Sequence, residues 1–138
     1  MRFREVSRLL YQMKITNQVM TSNFEKETGF SLTRYELMMF LKETGKCSQT
    51  NIQSELCIDR AAVTRHLKRL EEKGYVIRER NKQNNREIFV EVTNKAHEAL
   101  EKCESDHNAT STLSSSLSEL EEKQLSELLD KLMEKKRD

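Results

Sequence analysis

Residues 59–74 carry a two-faced pattern that restricts the fold more than any other part of the chain. Asp59 is a good helix N-cap and Gly74 a good helix terminator, so we predict a helix over residues 60–73. Helical geometry places apolar side chains on one face: Val63, Leu67 and Leu70. The opposite face carries Ala61, Arg65 and Lys68, with Thr64 and Arg69 at its edges. The pattern predicts a helix that packs on a core and exposes positive charge.

The segments around this helix predict a larger supersecondary motif. We expect a preceding helix that begins at Thr33, with Thr33 and Glu36 as a capping box, and ends at Gly45. A short helix follows over residues 48–56, and "LCID" joins it tightly to the two-faced helix. Beyond Gly74, the apolar run before Arg78 and the alternating residues 88–92 predict a β hairpin with a long polar loop. Together these elements indicate a winged helix-turn-helix, with its wing at residues 78–90.

Both ends of the chain are predicted to form amphipathic helices. In the first, side chains recur at steps of three and four until a stop near Gly29: Phe3, Val6, Leu10, Met13, Asn17, Met20 and Phe24. Thr93 and Asn94 are caps for a later helix, and Ser118 with Glu121 forms a capping box for the last one. That helix carries Leu125, Leu128, Leu129 and Leu132. The Ser/Thr-rich stretch 108–119 keeps Leu113 and Leu117 at helical spacing. Narrow apolar stripes suit packing against a second chain, and an ordinary core helix is the alternative.

The composition favours a mostly helical protein of one domain. The 138 residues include no proline and three glycines, and 34% of them are charged. The N-terminus has charges where a signal peptide needs an apolar block, and no apolar run has the length of a membrane span. We therefore expect a cytoplasmic protein with no membrane partner. Three cysteines are too few for a disulfide framework. The expected fold class is mostly α with a small β wing (α+β).

Positive charge is concentrated in the winged motif. Residues 60–86 contain nine Lys or Arg and three Glu, whereas residues 97–138 contain six basic and eleven acidic side chains. Such a basic block is typical of a nucleic-acid contact, and a solvated charged face is the alternative. A helix of this kind fits the major groove, where Arg65 and Lys68 would reach guanine edges. The other DNA-binding candidates are Ala61 on a thymine methyl, Thr64 on a base or phosphate, Ser48, Gln49, Thr50, Arg60 and Arg69 on phosphates, and Lys82 and Arg86 in the minor groove.

Residues 35–96 resemble the DNA-binding lobe of the MarR family, the regulators named for multiple antibiotic resistance. The stretch "CSQTNIQSELCIDRAAVTRHLKRLEEKGYVIRER" is similar to the family's two recognition helices and first wing strand, and "RLEEKGY" is its most specific part. The family's wing pattern is Asp, any residue, Arg, five residues and Leu-Thr. It corresponds here to Asn84, Asn85, Arg86, Val92 and Thr93. The terminal "LSELEEKQLSELLDKL" is similar to the family's last helix, so the resemblance covers nearly the whole chain.

The resemblance implies a transcription regulator, usually a repressor, that binds double-stranded DNA as a homodimer. It implies one domain over residues 1–138, with a winged helix-turn-helix lobe at 33–93 and helical dimerisation regions at 1–30 and 94–138. Each protomer would read half of a pseudo-palindromic operator. A small-molecule effector or thiol oxidation often relieves repression in the family. Two residues depart from the family pattern: neutral Asn84 offers Arg86 a weaker partner than Asp, and Cys57 occupies a turn position that often holds glycine.

Other chemistry has less support in the sequence. Cys47 and Cys57 lie at the two ends of the short third helix, so they are candidate redox-sensing residues, and plain packing is the alternative. Cys103, His107 and His97 are too few to define a metal site, and we expect no metal and no cofactor. No nucleophile elbow, phosphate loop or HExxH motif points to an enzyme. The alternative to operator binding is a winged-helix protein-docking module or co-regulator. A cationic recognition face argues against that alternative.

Overall fold

The computed structural model describes residues 1–84, 86–107, 113 and 116–137, with side chains described up to residue 134. The chain forms two compact units, Met1–Asp106 and His107–Asp138. The elements are α1 (Phe3–Thr28), α2 (Leu32–Thr44), β1 (Cys47–Ser48), α3 (Gln49–Leu56), α4 (Arg60–Glu72), β2 (Val76–Arg80), β3 (Ile88–Val92), α5 (Asn94–His107) and α6 (Glu119–Arg137). The prediction of a mostly helical fold with a small β wing is confirmed.

The core lies where α2, α3 and α4 pack on a small sheet. The apolar face predicted for α4 is buried: Val63 and Leu67 are fully inaccessible and Leu70 nearly so. They meet side chains from the neighbouring helices and from α5: Leu37, Met38, Leu41, Ile52, Ala96 and Leu100. Val76 and Val90 join them from the sheet. Burial of these side chains holds α4 in place by one face, so its opposite face remains in solvent.

Backbone caps define the helix-turn-helix. The Asp59 carboxylate accepts a hydrogen bond from the Ala62 N–H at 2.7 Å, which confirms the predicted N-cap of α4. At the other side of the turn, Cys57 ends α3 in a left-handed conformation with φ 55°. Among the described residues, Cys57 is the single non-glycine with positive φ. The turn geometry that glycine usually supplies is thus present, and Cys57 bears its strain.

The wing is a three-stranded antiparallel sheet in the order β1-β3-β2. Its hairpin register pairs Val76 with Val92 and Arg80 with Ile88, so the loop spans residues 81–87. Loop turns are held by asparagine side chains, since the Asn81 Oδ1 accepts the Gln83 N–H and the Asn84 Oδ1 accepts the Arg86 N–H. The sequence predicted the hairpin and missed β1, whose Cys47 pairs with Val90.

The N-terminus of α2 differs from the predicted capping box. Thr33 and Glu36 were the expected pair, and this prediction is wrong because the N-cap is Ser31, whose Oγ accepts the Arg34 N–H. The Glu25 carboxylate of α1 also accepts the Leu32 N–H at 2.9 Å. A carboxylate from the neighbouring helix thus satisfies a free N–H group of the first turn, which a local sequence pattern does not show.

The terminal helices contrast with the core. No side chain of α1 is buried, and the same holds for the side chains of α6 that the structure describes. The Ser118–Glu121 capping box is confirmed by reciprocal hydrogen bonds. Within the Ser/Thr-rich stretch, residues 108–112, 114 and 115 lie outside the described residues, whereas Leu113 and Leu117 are described and lie in bends before α6, not in a helix. Within the described ranges, no helix is long and apolar enough to cross a membrane.

Candidate nucleic-acid interface

The outer face of α4 presents unpaired cations to solvent. Its five predicted contact residues are all exposed: Ala61, Thr64, Arg65, Lys68 and Arg69. The side chains of Arg65, Lys68 and Arg69 make no ion pair with the described residues, whereas Arg78 and Lys46 in the wing are paired with Glu71 and Glu79. A guanidinium or ammonium group without an internal carboxylate keeps its full charge available to an anion.

An open cleft of about 680 Å³ lies beside this face, between α3, α4 and the wing. It is lined by Gln49, Thr50, Gln53, Arg60, Arg80, Arg86 and Ile88. Four of these were predicted from the sequence to bind DNA, and none of the seven is acidic. At the N-terminal end of α3, the cleft gathers three guanidinium groups, from α4, from β2 and from the wing loop. The free N–H groups of that helix end also favour an anion.

Gln49 links the cleft to the recognition helix. Its Nε2 donates to the Thr64 Oγ1 at 2.9 Å, and the Thr64 hydroxyl donates to the Arg60 carbonyl at 3.0 Å. The Thr64 hydroxyl therefore has one lone pair left for a further donor and no proton to give. The Gln49 Oε1 is buried and has no hydrogen-bond partner among the described residues. Gln49 thus contacts α4 as well as lining the cleft.

Two predicted contact residues lie neither in the cleft nor on the outer face of α4. Ser48 is only 6% exposed, and its Oγ accepts the Asn51 N–H as the N-cap of α3. Lys82 is exposed in the wing loop and is not among the residues that line the cleft. The Asn84 Oδ1 accepts a hydrogen bond from the Arg86 backbone N–H at 3.2 Å, so Asn84 orients Arg86 through the main chain.

The base of the wing is braced against α4. The Arg78 Nη2 donates to the Glu71 Oε1 at 3.0 Å, and this hydrogen bond lowers the pKa of Glu71. The Lys46 Nζ lies 3.3 Å from the Glu79 Oε2. At the start of β2, the Thr93 hydroxyl donates to the Gly74 carbonyl at 2.7 Å, and the Lys95 Nζ donates to the Lys73 carbonyl at 2.7 Å. The Arg78–Glu71 hydrogen bond therefore joins β2 of the wing directly to α4.

Known proteins share both this sequence pattern and this fold. A family model described as the MarR family matches residues 30–88. The HTH-type transcriptional regulator BilQ of Clostridium symbiosum is 30% identical over 112 residues, which are 80% of this chain and 77% of BilQ. The chain belongs to the MarR family. This is a family of transcriptional regulators, not of enzymes, as the sequence led us to expect.

Further similarities extend this assignment. The HTH-type transcriptional regulator YdgJ of Bacillus subtilis is 42% identical over 97 residues, which are 70% of this chain and 59% of YdgJ. The chain thus spans about three-fifths of the length of that relative. A mutant MarR from E. coli, solved in complex with operator DNA, matches with a TM-score of 0.83 and 22% identity, over 95% of this chain and 97% of that one. This likeness establishes the MarR fold.

The two candidate redox-sensing residues of this MarR-family chain differ in their surroundings. Cys47 is buried, and burial raises the pKa of its thiol, which lowers the reactive thiolate fraction. Cys57 is exposed, and its Sγ lies 3.7 Å from the Ser54 carbonyl oxygen. Burial also raises the pKa of Cys103. Solvent access therefore favours Cys57 over Cys47 as the thiol that oxidants reach, and redox sensing stays a prediction.

The structure adds residues that the sequence did not single out. Arg80 and Gln53 line the cleft, although the sequence placed no function on them. Arg80 was hard to find because its side chain reaches the cleft only once β2 is paired with β3 at this register. Among the described residues, no group of three His, Cys, Asp or Glu side chains has the proximity of a metal site.

Proposed function

We propose that the chain regulates transcription by binding a pseudo-palindromic DNA operator as a homodimer, and that it acts as a repressor. The recognition helix α4 enters the major groove, where Arg65 and Lys68 contact base edges. The cleft with Arg60 and Arg86 contacts the phosphate backbone, and the wing loop with Lys82 follows the adjacent minor groove. Backbone contacts set the register, and the α4 side chains set the sequence preference.

One observation carries this proposal: α4 exposes Arg65, Lys68 and Arg69, and these three side chains make no ion pair with the residues that the structure describes. The exposed Arg65 and Lys68 lie on α4, and the same helix contributes Arg60 to the cleft. A protein-docking surface needs apolar side chains at its centre, whereas a DNA surface needs cations at its centre and edges. The proposal is supported by the mutant MarR of E. coli, a protein of this fold that was solved in complex with operator DNA.

Exposed apolar side chains support the homodimer. On α1, Phe3 is 88% exposed and Leu10 is 60% exposed. On α6, Leu128 is 58% exposed and Leu132 is 63% exposed. Each fully buried leucine contributes about 1.5–3 kcal/mol relative to an exposed one, so a partner chain that covers these stripes is strongly favoured. A twofold dimer also matches the symmetry of an inverted repeat.

The test is a selection of bound duplexes from a random DNA library with the reduced, folded protein. We expect an enriched inverted repeat with half-sites about one helical turn apart. Affinity is then measured against salt concentration for the wild type, Arg65→Ala and the control Lys102→Ala on α5. Arg65→Ala is expected to lose sequence preference, because it removes a contact to base edges. The control should match the wild type, since exposed Lys102 lies outside the winged lobe.

Failure of this test has a defined meaning. A folded protein that enriches no sequence contradicts operator binding and favours the protein-docking alternative. An enriched site that Arg65→Ala still prefers contradicts the assigned role of α4 while leaving operator binding in place. The repressor direction requires a reporter gene with the selected site at its promoter. Control by a small-molecule effector stays a prediction from family resemblance.

A further inference from the structure

Arg34 and His66 connect α2 to the recognition helix on the side away from the wing. The Arg34 Nη1 lies 3.4 Å from the His66 Nδ1, in a half-buried contact. A guanidinium group has only donors, so this contact is a hydrogen bond only when the His66 Nδ1 carries no proton. The geometry therefore couples an arginine in the first turn of α2 to the protonation state of a histidine on α4.

The charged groups that shift the pKa of His66 are all positive. Burial and then the charges of Arg34, Arg65 and Arg69 lower the pKa of His66. These are the groups that act on the imidazole, one from α2 and two from α4 itself. Arg69 makes no ion pair with the described residues. Three guanidinium groups around one imidazole form a site whose repulsion an anion would relieve.

The position of this cluster complements the cleft at the wing. Helical spacing places Arg69 between the outer face of α4 and His66, whereas Arg60 and Thr64 lie on the opposite flank, beside the cleft. A helix in the major groove has one phosphate backbone along each flank. The cleft with Arg60 therefore faces the phosphates of one DNA strand, and the cluster on the α2 side faces the phosphates of the other strand.

We propose that Arg34, His66 and Arg69 form a second phosphate-binding site for the operator backbone, on the α2 side of the recognition helix. This inference rests on the proposed operator binding, and it adds a contact between the protein and the second DNA strand. Arg34 and Arg69 donate to phosphate oxygens. His66 orients Arg34 in the free protein and becomes a third donor once it is protonated in the complex.

The site predicts a coupling between operator binding and protons. A phosphate beside His66 favours the imidazolium form, so the pKa of His66 rises when DNA binds. The complex then holds more protons than the free components, and affinity increases as pH falls. We expect several-fold tighter binding at pH of about 6 than at about 7.5, because the pKa of His66 is lowered in the free protein and raised by the phosphate, so only the complex takes up a proton as pH falls through this range.

The experiment uses the full chain and the inverted repeat selected from the random library. Fluorescence anisotropy gives affinity against salt at two pH values for the wild type, Arg34→Gln, Arg69→Gln, His66→Asn and the control Lys102→Gln. Each arginine variant is expected to weaken binding at least about tenfold and to lower the log–log salt slope by about one per half-site. His66→Asn keeps an acceptor for Arg34 and does not titrate, so it should abolish the pH dependence of affinity.

The outcomes separate this site from the general function. If the wild type binds the repeat with a steep salt slope while Arg34→Gln and Arg69→Gln keep that slope, the second phosphate site is refuted and operator binding stands. If His66→Asn retains the full pH dependence, the proton coupling is refuted. Arg69→Gln keeps the test valid should Arg34→Gln unfold, because the Arg69 side chain is exposed. Loss of all binding by the wild type contradicts the proposed function instead.

Discussion

The winged lobe and the terminal helices differ in how they bury their apolar side chains. In the lobe, α4 buries Val63, Leu67 and Leu70 completely or nearly so and keeps its cations outside. In α1 no side chain is buried, and the leucines of α6 are between 39% and 64% exposed. The lobe thus has a fully buried apolar core and an exposed cationic surface. The terminal helices expose apolar side chains, which is the physical basis for proposing a dimer.

The largest expected effect is in the lobe. Leu67→Ala removes a fully buried side chain from the face by which α4 packs, so it should lower the free energy of unfolding by about 4 kcal/mol. Urea unfolding followed by circular dichroism measures this change. Lys68→Ala, next to it on the exposed face, should stay within about 0.5 kcal/mol of the wild type. Equal effects of the two variants would contradict the assigned faces of α4.

The next effect is in α6. Leu128→Asp places a charge in the stripe that we assign to the dimer interface, so self-association should weaken by about 3 kcal/mol per dimer. Sedimentation velocity over a range of protein concentrations measures the monomer–dimer equilibrium. Lys123→Asp introduces the same side chain on the other side of the helix and should leave the dimer intact. A monomeric wild type, or a Leu128→Asp protein that dimerises normally, would remove the argument for a dimer through α6.

The same contrast explains what the sequence could predict. Elements set by local patterns were predictable: the two faces of α4, the Asp59 cap, the hairpin and the Ser118–Glu121 box. Each depends on residues within a few positions of one another. The sequence missed β1, because a strand of two residues has no periodicity and forms only by pairing with β3. It also misplaced the start of α2, where a carboxylate from α1 assists Ser31.

The candidate site shows the same limit. Arg65 and Lys68 were predictable, because helical spacing alone gives the exposed face of α4. Arg80 and Arg34 were not, since they approach α4 from other elements once the lobe has folded. A residue whose role depends on long-range packing has no signature in a single sequence. The structure is therefore most informative at the flanks of the recognition helix.

A smaller effect is expected at the turn between α3 and α4. Cys57→Gly should stabilise the lobe by about 0.5–1 kcal/mol, because glycine adopts the left-handed conformation without a Cβ clash, although it costs chain entropy. The midpoint of urea unfolding should rise at unchanged slope. Cys57→Ala removes the thiol and keeps the Cβ, so it should give no gain. A gain of equal size from both variants would assign the effect to the thiol and not to backbone strain.

The smallest effect tests whether charge as well as apolar contact holds the wing to α4. The hydrogen bond from Arg78 lowers the pKa of Glu71, so their interaction stabilises the fold fully above the ordinary glutamate pKa of about 4.3 and is lost as pH falls below that value through the lowered pKa of the folded state. Because the Glu71 side chain is 41% exposed, solvent screening limits the contribution to about 0.5 kcal/mol. Glu71→Gln should therefore be slightly less stable than the wild type at neutral pH, and this deficit should shrink as the pH is lowered towards about 3, as measured by urea unfolding. Glu72→Gln, one position along, is the matched control and should show no such change with pH. A constant deficit at both pH values would mean that Glu71 acts by packing, and the lobe would then be held to its wing by apolar contacts and uncharged hydrogen bonds alone.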